Sequence, residues 1–201
     1  MSARPETGAP LLTVAADGWV CGARRDPSPN FDARPAGCAV ELLVVHNISL
    51  PPGVFGTGDI ARLFANRLDA AAHPFFATLS GVRVSAHFLI ERDGALSQFV
   101  SCLDRAWHAG ASEFEGRARC NDFSIGVELE GTDFAPFEAP QYATLAALTQ
   151  ALRRAYPLCA VRGHADIARD RKTDPGPFFD WARYARLAAL DAEALPIHAR
   201  S

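Results

Sequence analysis

No stretch of this chain approaches the ~20 consecutive apolar residues that a membrane-spanning helix needs. Near its start, Leu11 to Val14 is too short an apolar segment for a secretory leader, and no basic run precedes it. The reading is a cytoplasmic chain with no membrane partner. Cysteine is sparse. Cys21, Cys38, Cys102, Cys120 and Cys159 are odd in number, scattered, and form no C-x-x-C pair. That excludes a disulfide framework and predicts reduced, mostly buried thiols. Lysine and arginine form no stripe interleaved with aromatics, and the formal net charge is −3. Nucleic acid is therefore not expected as a partner. The H-E-x-x-H signature of helical metalloproteases is missing as well. So are internal repeats, low-complexity blocks and linkers.

What remains is an ordinary globular composition: 201 residues, 49 % hydrophobic and 21 % charged, enough for one domain with a real core. Residues 1–38 show little periodicity and read as an irregular N-terminal segment on the surface. A folded domain over 39–190 and a tail over 191–201 complete the chain, and a monomer is expected. Ala39–His46 is apolar except for Glu41, the pattern of a strand covered on both faces. Asp59 suits the N-cap of a helix carrying Ile60, Leu63, Phe64 and Leu68, and Pro74 interrupts the next stretch. Arg92-Asp93-Gly94 joins two strand-like runs as a hairpin. Residues 106–121 read as a long loop. Phe123–Glu130 alternates, with Phe123, Ile125, Val127 and Leu129 on one face and Ser124, Gly126, Glu128 and Glu130 on the other. Pro140 opens an amphipathic helix that Pro157 ends, and Asp180 caps a last helix. Strands and helices without regular βαβ alternation predict an α+β fold, a central mixed sheet flanked by helices.

The chemistry concentrates in Arg162–Pro177, a Pro/Gly-punctuated stretch read as loop, which holds His164, Lys172 and Asp174. Far upstream, His46 ends the first apolar strand. Two histidines and a carboxylate make three protein ligands and leave a fourth zinc position for water. Each alone has a bland reading: a satisfied structural histidine, or an aspartate fixing the exit of a loop. Small Ser124 and Gly126 leave room for a ligand above Glu128, unless that face is simply solvated. Lys172 is an exposed cation or an oxyanion partner. His73, His87 and His198 carry no obvious chemistry, and His108 suits a sugar- or peptide-binding loop.

Several segments carry a resemblance. They are His46-Asn47-Ile48-Ser49-Leu50-Pro51-Pro52-Gly53, Arg83-Val84-Ser85-Ala86-His87, Arg105-Ala106-Trp107-His108-Ala109-Gly110, the stretch from Arg119 to Asp133, and Arg171-Lys172-Thr173-Asp174-Pro175-Gly176-Pro177. Over about residues 18–181 the chain resembles the cytoplasmic 1,6-anhydro-N-acetylmuramyl-L-alanine amidases of Gram-negative bacteria. These belong to a zinc amidase superfamily that includes peptidoglycan-recognition proteins. The resemblance implies one Zn2+ per chain on His46, His164 and Asp174. It implies Glu128 as general base and then acid, and Lys172 as oxyanion stabiliser. Asn47, Arg83, Trp107 and Arg119 would hold the stem peptide and anhydro sugar of an anhydro-muropeptide substrate. The alternative is a non-catalytic peptidoglycan-fragment binding module with a structural zinc.

Overall fold

The structure, a computed structural model, describes residues 12–200. The first part of the chain makes four short strands, β1 (Thr13–Val14), β2 (Val20–Cys21), β3 (Arg24–Arg25) and β4 (Phe31–Ala33). Next come β5 (Leu42–Ile48), α1 (Asp59–Phe64), α2 (Pro74–Thr78), β6 (Phe88–Ile90) and β7 (Leu96–Gln98). Three further short strands, β8 (Asp104–Ala106), β9 (Glu113–Phe114) and β10 (Arg117–Ala118), lead into β11 (Ser124–Glu130). The chain closes with α3 (Ala139–Ala155), β12 (Ala160–Gly163), α4 (His164–Ile167) and α5 (Trp181–Ala188).

The centre is a six-stranded mixed sheet in the order β12-β5-β11-β6-β7-β3. β12, β5, β11 and β6 run parallel, and β6 turns back antiparallel into β7 through the predicted hairpin. A parallel strand needs cover on both faces, and β5 and β11 have it. On one face Leu43, Val45, Ile125, Val127 and Leu129 pack with Tyr142, Leu145, Leu148 and Leu152 of α3 and Tyr184 of α5. Each such fully buried side chain contributes roughly 1.5–3 kcal/mol. On the other face Leu42 and Val44 meet Ala109, Cys120, Phe123 and Ile167. The face bearing Ser124, Gly126, Glu128 and Glu130 is therefore covered, and the solvated-strand reading of it does not hold.

Local chemistry explains where the elements differ from expectation. α1 starts one residue after a left-handed Gly58 and stops at Phe64, because Asn66 turns left-handed with φ 57°. Leu68 lies beyond it. Pro74 does not interrupt a helix but opens one, with His73 Nδ1 accepting from Phe75 N at 3.1 Å. In α3, Gln141 accepts from the Glu138 amide at 3.0 Å, and Pro140 sits in the first turn, where its missing N–H costs nothing. Asp180 caps α5 by accepting from Arg183 N at 2.8 Å. The stretch after Pro157 is not all loop: four residues complete β12, and His164 opens α4.

The described part of the N-terminal segment, residues 12–38, is woven into the sheet and core. Leu12 and Val20 join the main core, and Arg24–Arg25 forms an edge strand of the central sheet. Two of the five cysteines, Cys102 and Cys120, are buried, while Cys21 and Cys159 are exposed, so mostly buried thiols are not what the chain has. No helix among the described residues is long and apolar enough to cross a membrane.

Candidate active site

Strand register builds the site. In the parallel β5–β11 pair, His46 lies opposite Glu128. In β12–β5, Gly163 lies opposite Val45, so the next residue, His164, comes alongside His46. Three neighbouring strands thus deliver His164, His46 and Glu128 in a row at their carboxyl ends, where parallel sheets place their ligands. The chain after α4 turns back through Arg171 and Lys172, and the Asp174 carbonyl accepts from Ala165 N at 2.9 Å. That return brings the Asp174 carboxylate against both imidazoles.

The result is a triangle. His46 Nδ1 is 3.0 Å from His164 Nδ1 and 3.0 Å from Asp174 Oδ2, and His164 Nδ1 is 3.1 Å from the same oxygen. Three corners of a tetrahedral shell with bonds of 2.0–2.1 Å lie about 3.3 Å apart, so the spacing fits zinc. The protonation pattern fits too. His164 Nε2 faces the Ala109 carbonyl at 3.1 Å, a partner that only accepts. Its proton therefore sits on Nε2, and a bare Nδ1 points into the triangle. A bare nitrogen aimed at a carboxylate repels it unless a cation lies between them. Of the described residues, these three form a group with metal-ligand spacing.

The electrostatics agree. Burial alone would raise Asp174, but contacts with His164 and His46 outweigh it and hold the carboxylate well below its usual range. Burial lowers His46 to about 4. Glu128 behaves in the opposite way. Burial pushes its carboxyl well above the usual range, the Asp174 charge adds to this, and the Lys172 ammonium acts against it. Its Oε2 is buried without a hydrogen-bond partner among the described residues.

Other predicted residues distribute unevenly. Arg83, Trp107 and Lys172 line a cavity of about 260 Å3 together with His108, His164 and Arg171. Arg119 stands apart, exposed, with Nε 3.2 Å from Asp122 Oδ2. The Asn47 amide nitrogen donates to Asp133 Oδ1 at 2.7 Å and to the Pro175 carbonyl at 3.1 Å, which ties β5 to the loop after Asp174. The room above Gly126 is not left for a ligand. His108 fills it, and a Cβ on Gly126 would come within 2.4 Å of that ring. His87 is a buried structural residue, with Nδ1 accepting from Gly126 N and Nε2 facing the Asp104 carbonyl. Burial lowers it to about 3.

Two imidazoles and a carboxylate with an open corner, beside a buried acid, mark the metal-dependent hydrolases. Comparison with known proteins narrows the class. Residues 36–177 match the family N-acetylmuramoyl-L-alanine amidase. The chain is 58 % identical over 176 residues to the 1,6-anhydro-N-acetylmuramyl-L-alanine amidase AmpD of Escherichia coli, covering 87 % of this chain and 96 % of that one. A crystal structure of a selenomethionine AmpD derivative superimposes with a TM-score of 0.83 at 55 % identity, over 85 % of this chain and 97 % of that one. AmpDh3 from Pseudomonas aeruginosa in complex with anhydromuramic pentapeptide matches with a TM-score of 0.55 at 28 % identity, over 78 % and 63 % of the two chains. The chain belongs to the N-acetylmuramoyl-L-alanine amidase family, and it is a hydrolase of that family.

Proposed function

We propose that the protein is a zinc-dependent amidase of the cytoplasm, acting as a monomer with one zinc on His46, His164 and Asp174. Its substrate is an anhydro-muropeptide, and the bond cut is the amide between 1,6-anhydro-N-acetylmuramic acid and L-alanine. The observation that carries this reading is the triangle of ligand atoms beside the Glu128 carboxyl, whose Oε2 is buried and without a partner among the described residues. An amide is a weak electrophile with a poor leaving group, so both attack and departure need help. Zinc in the triangle supplies a Lewis acid that polarises the carbonyl and lowers the pKa of water.

The chain's own groups handle protons and orientation. Glu128 Oε2 has no protein partner among the described residues, so the carboxyl is not committed to another side chain and serves to take a proton from the attacking water and return it to the alanine nitrogen. Its raised pKa suits that double duty, since a proton carrier works best near the operating pH. Lys172 stands on the cavity rim beside His164, where its ammonium offsets charge on the carbonyl oxygen. Arg83 and Trp107 line the same cavity and hold the stem peptide and sugar, and Arg119, exposed outside that cavity, reaches the substrate from the surface. Asn47 serves at one remove, by fixing the loop that carries Asp174.

A binding module with a structural zinc would have no use for an unsatisfied buried carboxyl, which costs stability. Mass spectrometry of purified anhydro-muropeptides incubated with the zinc-loaded protein tests the reading. Free peptide and anhydro sugar are expected, with slower release from intact sacculi at matched bond concentration. Absence of cleavage, or equal release from sacculi, would contradict it.

A further inference from the structure

Two adjacent residues hold both histidines of the triangle from behind. His108 Nδ1 lies 2.9 Å from His46 Nε2, and the Ala109 carbonyl lies 3.1 Å from His164 Nε2. We propose that His108 and Ala109 form one clamp that fixes which nitrogen each histidine turns to the cation, Nδ1 in both. This rests on the zinc reading above.

A histidine ligand has two usable nitrogens, and the partner of the far one decides which faces the metal. For His164 the partner is a carbonyl, which forces the proton onto Nε2. For His46 it is an imidazole, which does the same only if its own Nδ1 is bare. Ser124 allows that, because its Oγ lies 3.1 Å from His108 Nε2 and can accept the proton there. A line of two hydrogen bonds then runs from His46 Nε2 to His108 Nδ1, and from His108 Nε2 to Ser124 Oγ.

The clamp is itself held. The buried Asn121 accepts through Oδ1 from both His108 N, at 3.2 Å, and Ala109 N, at 2.8 Å. Arg171 Nη2 donates to the Ala109 carbonyl at 2.9 Å and to the Ala111 carbonyl at 2.6 Å. Gly126 supplies the space for the ring, since an added Cβ would sit 2.6 Å from His108 Nδ1. The segment Trp107-His108-Ala109-Gly110 therefore has a task besides lining the cavity. Two positioning residues set both imidazole ligands, and Asn121 couples them.

Nitrogen-15 NMR of the zinc-loaded protein tests the clamp without any substitution. The long-range imidazole pattern should show His46 and His164 both bound through Nδ1 and protonated on Nε2; either ring bound through Nε2 overturns the proposal. Two variants separate positioning from packing. His108→Phe keeps a ring over Gly126 but no acceptor. His108→Asn keeps an acceptor near the Nδ1 position but leaves space unfilled. In chelator competition, His108→Phe should weaken zinc binding by about 10–100-fold, the usual size for a partner of a metal ligand, and His108→Asn should lie nearer wild type. Wild-type affinity in His108→Phe, or weaker binding in His108→Asn than in His108→Phe, sinks the clamp. Asp174→Ala run in parallel keeps the two ideas apart. If it retains wild-type zinc affinity, the metal reading itself is wrong. If it loses zinc while His108→Phe does not, only the clamp is. Should His108→Phe fail to fold, the wild-type NMR result decides alone.

Discussion

Asp174 and Glu128 are both carboxylates with little access to water, yet their surroundings push them in opposite directions. Two imidazoles keep Asp174 ionised, whereas burial favours the neutral form of Glu128. Each therefore fails differently when removed. Asp174→Ala should lose most bound zinc by metal analysis, because two histidines alone hold the ion poorly; stoichiometric binding at wild-type affinity would discard the ligand set. Glu128→Ala should keep zinc and fold while kcat falls by about 10²-fold or more. Lys172→Ala should also keep zinc, with a kcat loss of similar order, as for one oxyanion stabiliser. A zinc-replete Glu128→Ala variant with near-wild-type kcat would leave metal and water acting alone. The three residues of the triangle were legible in the sequence as a group that could hold a metal, because their residue types are few and their chemistry is narrow. The task of His108 was not, since it depends on a ring from one loop meeting a strand sixty-two residues away in sequence. Nor could the sequence show that the Asn47 amide nitrogen donates to Asp133, eighty-six residues away.

At the level of elements, β11 does more than carry Glu128. Its small residues are shaped by what crosses above them: Gly126 admits His108, and Ser124 meets that ring's far nitrogen. Gly126→Ala should move the ring, since the contacts at 2.4–2.7 Å are closer than any real Cβ makes. Destabilisation of about 1–3 kcal/mol is expected, the range for overpacking, and zinc affinity should fall with it. Chemical denaturation and chelator competition measure the two effects; an unchanged midpoint with unchanged affinity would show that the loop gives way freely. The long elements were readable because periodicity accumulates over many residues, as it does in α3 and β11. β12 was not. Four residues carry too little pattern, and what makes Ala160–Gly163 a strand is pairing with Leu42–Val45 across the sheet. α1 ended early through backbone geometry at Asn66 that the apolar spacing of Leu68 does not report.

For the molecule as a whole, the division that looked natural in sequence, an outer segment before residue 39 and a domain after it, runs across a tightly bonded join. Arg34 reaches inward and donates to four backbone carbonyls, those of Cys102, Asn121, Asp122 and Ser124. Ser28 and Asn30 are buried, and Asn30 bridges Phe64, Asn66 and Val84. Composition could not reveal this, because arginine and asparagine in an aperiodic stretch usually mean surface. The carbonyls that Arg34 serves belong to the turn leading into β11 and to the loop before β8. Without it they lose a charged donor, and the Asn121 segment that steadies His108 and Ala109 loses its anchor. Arg34→Ala should cost about 2–4 kcal/mol, the scale for stranding several buried acceptors. Arg34→Lys should recover only part of it, because an ammonium cannot fan out to four carbonyls. A chain starting at Ala39 should fail to give a cooperative unfolding transition at all. If that shortened chain instead melts cooperatively near the wild-type temperature, or Arg34→Ala costs less than about 0.5 kcal/mol, the surface change of no consequence, then the first 38 residues are an outer segment after all.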